Sequence, residues 1–301
     1  MTKNVFITGG SGQDCKILTI LLQNRNINLN VFYRKNKPFK ISGVKYIQNN
    51  LSNKAKIDKI FSKIKPDIVL HLASNNPAYL ESGYNKFYKQ NSLATKNIFK
   101  STFETNLNAK FIFCSSSQIF KNKNGLVSEK SKFSIKSDYT NFRIKSDSMM
   151  LKYKKDQKIS YTNVILFNHD SIYRNGKFVI PRTIKALINK NFLFIKKIIK
   201  ANIYEDFSHA EDICKGLIKI MFSKKNFDRI ILSSGKATHL NDIIMYICKK
   251  NNIKVNFQSK KNRLKKALIG NNKFAKKEFN WLLKKNIFVA ANEIYRSLLK
   301  K

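Results

Sequence analysis

The chain has 301 residues, 43% of them hydrophobic, and carries 59 Lys+Arg against 18 Asp+Glu for a formal net charge of +41. That length and apolar content suit one large α/β unit with a smaller lobe, and no apolar run approaches the ~18 residues of a membrane span. The four cysteines, Cys15, Cys114, Cys214 and Cys248, lack paired spacing; they read as buried thiols of a reducing compartment, with no disulfide frame and no metal site.

Short β-rich runs alternate with helical patterns from the N-terminus. Strands are expected at "NVFIT" (4–8), "LNVFY" (29–33), "VKYIQ" (44–48), "DIVLHLA" (67–73) and "KFIFCSS" (110–116). Two more follow at "YTNVILF" (161–167) and "DRIILSS" (228–234). Amphipathic stretches at 14–25 and 54–64 separate the early strands, and helices are expected at "LNDIIMYICKK" (240–250) and 286–301. Near-continuous apolar strands joined by helices predict an α/β fold with a doubly wound parallel sheet covered on both faces. Residues 1–167 with 208–235 are expected to form the cofactor-binding domain. Residues 168–207 with 236–301 are expected to form a C-terminal lobe over the carboxyl edge of the sheet. Met1 leads straight into a strand pattern, so no leader is expected and the chain reads as cytoplasmic.

Lysines are spread through every segment and do not gather in a stripe or tail. Nucleic acid and membrane are therefore not expected as partners; the charge suits an anionic small molecule such as a nucleotide diphosphate.

The stretch "TGGSGQDC" follows the first strand and opens a helix. Gly9 permits a tight turn, and Gly12 lets the backbone approach a pyrophosphate at the helix N-terminus. Cys15 occupies the place where a small residue normally lets helix and sheet close up, a packing change that leaves the phosphate-facing positions intact. After the second strand, Arg34 and Lys35 suit a ribose 2′-phosphate, which favours NADP over NAD.

The loop spacing followed by "QD" resembles the extended short-chain dehydrogenase/reductase superfamily. "VILFNHDS" (164–171), "EDFSHAEDICKGL" (205–217) and "ALIGNNKFAKKEFNW" (267–281) are similar to nucleotide-sugar epimerases and dehydratases, above all to GDP-mannose 4,6-dehydratases. The resemblance runs over nearly the whole chain. It implies a Rossmann domain whose cofactor touches Gln13, Asp14, Asn50, Leu51, in "HLAS" Leu72, Ala73 and Ser74, and also Tyr139 and Arg143. It further implies that Tyr139 moves a proton at sugar C4 while Ser116 steadies the reacting oxygen. Ser117 and Asn168 stand where such enzymes touch substrate, although an Asn at a strand end is equally a turn former.

This sequence departs from the family pattern at several of those places. Four residues after Tyr139 stands Arg143 where the family carries lysine; Lys145 would point elsewhere on a helix. Arginine is a permanent cation and would still favour a phenolate at Tyr139 and approach the cofactor ribose. Two residues after Ser116 stands Gln118 where the dehydratases carry the glutamate that removes the C5 proton. An amide has no useful basicity, so elimination by that route is not expected and 4-keto reduction or epimerisation is. A non-catalytic cofactor-binding member of the same fold is the alternative. Glu205 replaces a diphosphate-binding arginine, for which Arg182, Lys196 or Lys197 would substitute. The segment "KNKPFKISG" (35–43) is too short to build the family's tetramer, and a homodimer through the fourth and fifth βα units is expected. His71 is read as a core residue, His169 as ordering its loop, and His209 as structural with Ser208 capping the helix that follows.

Overall fold

The computed structural model describes residues 2–36, 38, 40–75, 88–254 and 267–300. Positions 37 and 39, within the shortened segment, lie outside the described residues. From the N-terminus the chain forms β1 (Lys3–Thr8), α1 (Gln13–Leu22), β2 (Ile27–Tyr33), β3 (Val44–Gln48), α2 (Lys54–Ile64) and β4 (Ile68–His71). There follow α3 (Tyr88–Thr105), β5 (Lys110–Ser116), a short β6 (Gly125–Val127), α4 (Asp138–Gln157) and β7 (Ser160–Leu166). Next come β8 (Asn168–Asp170), α5 (Val179–Ile188), α6 (Phe192–Lys200), β9 (Tyr204–Glu205), β10 (Phe207–His209) and α7 (Ala210–Phe222). The chain closes with β11 (Arg229–Leu232), β12 (Thr238–His239), α8 (Leu240–Lys250), β13 (Leu268–Gly270), α9 (Lys273–Phe279) and α10 (Ile287–Leu299).

Seven strands build one parallel sheet in the order β3-β2-β1-β4-β5-β7-β11. These are the seven strands expected from the apolar runs. The order turns back between β1 and β4, the switch point at which such sheets open a crevice. Three two-stranded pairs, β8–β10, β9–β12 and β6–β13, were not anticipated. They are two or three residues long, too short for any periodicity to register.

Alternation along the strands sorts the two faces by side-chain type. Val5, Ile7, Leu29, Val31, Ile68, Leu70, Ile112 and Cys114 point to an aliphatic core shared with α1 and α7. Phe6, Phe32, Phe111 and Phe113 point the other way, into an aromatic core with Phe61 of α2, Phe99 of α3 and Phe142 of α4. Edge contacts link these rings, such as Phe6–Phe61 with centroids 4.8 Å apart and Phe99–Phe111 at 5.2 Å. Each face fully buries its stripe, so a one-residue slip of any strand would exchange phenyl for aliphatic volume throughout.

A third cluster lies away from the sheet, where Ile180, Ile184 and Leu187 of α5 pack with Ile195 and Ile198 of α6, Ile243 and Ile247 of α8, and Ile294 of α10. Caps set where several helices begin. Asn53 Oδ1 accepts the Lys56 amide at 3.0 Å, and Ser137 with Thr140 forms a reciprocal capping box at the start of α4. α7 corrects the sequence reading: its cap is His209 itself, whose Nδ1 accepts the Glu211 amide at 3.1 Å, and His239 does the same for Asn241 on α8. An imidazole whose Nδ1 accepts carries its hydrogen on Nε2, and His209 directs that nitrogen at Glu293, 3.0 Å away.

Candidate active site

Parallel strands deliver the loops that follow them to one edge, so the segments after β1 to β5 and after β7 meet along the carboxyl side of the sheet. The chain turns after β1 at Gly9, with φ +84°, where a Cβ would stand 3.2 Å from the Ala73 nitrogen. Gly10 is tighter: a Cβ there would meet Val31 Cγ1 at 2.8 Å and the Phe32 carbonyl at 3.1 Å. This second glycine, absent from the expected cofactor set, lets the turn lie against β2. The Gly12 amide donates to the Gly9 carbonyl at 2.8 Å and closes the loop. Gly12 caps α1 without a side-chain acceptor, which leaves the first-turn amides open to an anion. Cys15 is 1% exposed in the aliphatic core, and burial pushes its thiol up to about 12, so it packs as a small neutral group.

Thr8 and His71 fix the turn after β4. Thr8 Oγ1 accepts the amides of Leu72 and Ala73 at 3.1 and 3.0 Å and lies 2.9 Å from His71 Nδ1. The Thr8 hydroxyl therefore donates to Nδ1, and Nε2–H donates to Thr95 Oγ1 at 2.9 Å. The ring is neutral: burial, and after it the Arg143 charge, pulls its pKa down to about 3. His71 is a core histidine that sets backbone geometry.

β5 ends in Ser115 and Ser116. Ser116 Oγ accepts the Gln118 amide at 3.3 Å and starts a single 3-10 turn, Ser117–Ile119, that brings Gln118 to the cleft. The Ser137 cap places Tyr139 in the first turn of α4, 8% exposed. One turn on, Arg143 is 4% exposed; its Nη1 donates to the Cys114 carbonyl of β5, and its guanidinium carbon lies 5.0 Å from the Tyr139 ring centroid. Phe142 and Phe113 flank it at 5.2 and 5.4 Å. The helix thus puts a permanent cation against the tyrosine ring, in the place of the family's lysine. Ser116, Gln118, Tyr139, Arg143, Leu72 and Asn168 share one cleft of about 930 Å³.

Other expected site residues lie elsewhere. Arg34 and Lys35, Asn50 and Leu51, and Ala73 and Ser74 follow β2, β3 and β4 along the same edge but outside this cleft, with Leu51 buried in the aromatic core. Ser117 and Arg182 are not among the cleft-lining residues; Arg182 stacks on Phe194 at 4.9 Å. Arg174 is the cleft arginine that the sequence did not reveal, 3.6 Å over the Phe178 ring with Nε 3.3 Å from Asp170 Oδ1. Its only signal was proximity to Asn168, and an irregular loop does not tell which of its cations turns inward. Lys123 and Tyr204 also line the cleft, and so does Glu205. Among the described residues no group of His, Cys, Asp or Glu is arranged to hold a metal ion.

Gln13 and Asp14 turn their side chains to the segment after β7. Gln13 Nε2 donates to the His169 carbonyl at 2.8 Å and its Oε1 accepts the Ser171 hydroxyl at 3.0 Å. Both Asp14 carboxylate oxygens lie 3.1 Å from His169 Nε2. Asp14 lines the cleft, whereas the Gln13 side chain is tied to the segment after β7 and is not among the cleft-lining residues.

A glycine turn at the switch point, an uncapped helix start and a Ser–Tyr–Arg group at the same edge give the layout of the dinucleotide-binding class of α/β fold. Residues 5–231 match the NAD dependent epimerase/dehydratase family, and the chain belongs to that family. It is 24% identical over 255 residues to GDP-6-deoxy-D-talose 4-dehydrogenase of Aggregatibacter actinomycetemcomitans, covering 81% of this chain and 79% of that protein. The fold matches dTDP-glucose 4,6-dehydratase of Bacillus anthracis str. Ames in complex with NAD, with TM-score 0.81 and 12% identity over 100% and 97% of the two chains. It also matches UDP-glucose 4-epimerase of Thermotoga maritima with UDP-glucose, with TM-score 0.82 and 14% identity over 99% of each. The extended short-chain dehydrogenase/reductase architecture expected from the motifs is the one found.

Proposed function

We propose that the chain is an NAD(P)-dependent oxidoreductase acting at C4 of a nucleotide-activated hexose, a GDP-hexose by preference. It is akin to the GDP-mannose 4,6-dehydratases without their elimination step. One observation carries this reading: Ser116, Tyr139 and Arg143 share a cleft with an amide, Gln118, where those dehydratases hold a glutamate. The likeness to a GDP-deoxyhexose 4-dehydrogenase supports the same chemistry.

A nicotinamide bound at this edge supplies the hydride acceptor or donor. Tyr139, as phenolate, takes the C4 hydroxyl proton in oxidation and returns it in reduction. The Ser116 hydroxyl donates a hydrogen bond to the same oxygen. Arg143 stabilises the phenolate by charge and stays fixed through its bond to Cys114. Gln118 orients polar groups of the substrate and takes no proton from C5. Arg174 and Lys123 offer charge to the diphosphate, against Glu205. Arg34 and Lys35 favour NADP.

Residues 1–167 with 208–235 hold the cofactor in this reading, and 168–207 with 236–301 hold the nucleotide sugar. A homodimer would use the outer faces of α3 and α4, where Leu93 and Tyr153 are exposed. The purified protein is to be incubated with NADPH or NADH and with 4-keto or intact nucleotide sugars, following nicotinamide absorbance and products. Reduction of a 4-keto sugar is the expected result. A 4-keto-6-deoxy product from intact GDP-mannose would show that Gln118 does not prevent elimination. A second reading, a non-catalytic binder of the cofactor, is favoured by the joint presence of Gln118 and Arg143. It requires coenzyme binding without turnover of any sugar.

A further inference from the structure

We propose that His169 sets dinucleotide affinity through Asp14: its positive charge cancels a carboxylate that the chain has placed beside the diphosphate-binding end of α1. This rests on the dinucleotide reading above and deepens it.

Gly12 caps α1, so Asp14 is the second residue of the helix, within the turn whose amides would face the pyrophosphate in that reading. A carboxylate there is ordinarily favourable, because it answers the positive helix end. At a diphosphate site it competes for the same positive potential and repels the ligand. His169 meets that charge directly. Its Nε2 lies 3.1 Å from both Asp14 oxygens, and its Nδ1 lies 2.6 Å from the Phe167 carbonyl. Neither acceptor brings a hydrogen, so both ring nitrogens carry one and the ring is an imidazolium.

The electrostatics agree with the geometry. Burial pushes the imidazole pKa down, but the Asp14 charge and hydrogen bond outweigh it and hold His169 above its ordinary value. Burial likewise raises the Asp14 carboxyl, and the His169 charge and hydrogen bond, followed by the Arg174 charge, bring it below the usual range.

Of the surrounding charged groups, Arg174 adds its charge to the pair without a hydrogen bond to Asp14, and others pair elsewhere. Arg174 turns Nε to Asp170, next to His169 in β8. On β10, which pairs with β8, His209 faces Glu293 of α10. On α7, Glu211 pairs with Lys215 and Lys285, Asp212 accepts the amides of Lys284 and Lys285, and Cys214 Sγ donates to the Asp14 carbonyl at 3.7 Å. His169 is the cation that meets both Asp14 oxygens at hydrogen-bond distance.

The test is calorimetric binding of NADH and NADPH to the full chain from about pH 6 to about pH 9, for wild type, His169→Gln, Asp14→Asn and the double variant. His169→Gln is expected to bind roughly tenfold or more weakly, because an unanswered carboxylate then faces the diphosphate. Asp14→Asn should bind at least as tightly as wild type. The double variant should match Asp14→Asn within about twofold, a non-additive rescue. Wild-type affinity should fall as pH rises through the His169 titration, read independently from its imidazole NMR signal, while the double variant stays flat. That wild-type comparison decides the matter even if His169→Gln fails to fold. Unchanged affinity in His169→Gln, no rescue in the double variant, or affinity indifferent to the His169 titration overturns the inference while leaving the cofactor reading intact. Absence of coenzyme binding by wild type overturns both.

Discussion

Arg143 holds its guanidinium carbon 5.0 Å from the centroid of the Tyr139 ring while its Nη1 donates to the Cys114 carbonyl, so one buried cation joins α4 to β5 beside that phenol ring. Arg143→Met removes the charge and leaves that carbonyl without its donor. Stability should fall by about 1–3 kcal/mol in denaturant unfolding. Turnover should fall about a hundredfold, with Arg143→Lys recovering most of it. Equal turnover in the Met variant would mean that the cation serves packing alone.

Tyr139→Phe keeps the ring in its aromatic setting and deletes the hydroxyl proposed to carry the proton. Turnover should drop by about 10²-fold or more, with coenzyme affinity changed by less than about threefold. A variant that loses coenzyme binding instead would place Tyr139 at the cofactor and not at the sugar.

Gln118 tests the reaction type. Gln118→Ala should leave 4-keto reduction within about fivefold of wild type if, as proposed, the amide only orients substrate. Gln118→Glu supplies a base at the dehydratase position and should introduce measurable water loss from an intact GDP-hexose. Failure of the glutamate to do so would show that the rest of the cleft also disfavours elimination.

Gly10→Ala forces a Cβ to 2.8 Å from Val31 Cγ1 and should cost about 1–3 kcal/mol of stability. Gly176→Ala, where nothing lies within 4 Å, should be neutral or stabilising by up to about 1 kcal/mol. Thermal melts of the pair decide whether the glycine doublet is a packing requirement.

The two buried histidines should pull stability in opposite directions with pH. His71 has a folded pKa of about 3, below its unfolded value near 6.5, so the unfolded chain binds more protons between them. Its contribution is complete above the unfolded pKa and is lost as pH falls, by up to about 1.4 kcal/mol per unit. His169 has a raised folded pKa, so its contribution is complete below the unfolded value and is lost as pH rises through the folded one. His71→Phe should flatten the acid limb of a stability–pH curve, and His169→Gln the alkaline limb. A curve whose limbs respond to the other variant would refute the assignment.

Much of the architecture was legible because its signals are local. Strand β5 and helices α2 and α8 fall where the residue pattern put them, since apolar alternation, the Asn53 cap and helical spacing act within a few residues. The positions of the glycine turn, Ser116 and Tyr139 were readable for the same reason: each lies at a strand end or a helix start, Arg143 follows one turn into α4, and the parallel topology carries them to one edge. The short pairs β6–β13, β8–β10 and β9–β12 and the His209 cap were not, because two or three residues carry no period. Beyond reach of the sequence were choices between partners far apart in the chain. Asp14 meets His169 across 155 positions, Arg229 forks onto Asp147 across 82, and Arg174 occupies the cleft in place of Arg182. Residue type and spacing determined which groups this protein has for its chemistry. Which of them face one another was decided only when the strands closed into a sheet, because Coulomb and hydrogen-bond energies depend on separation in space and not along the chain.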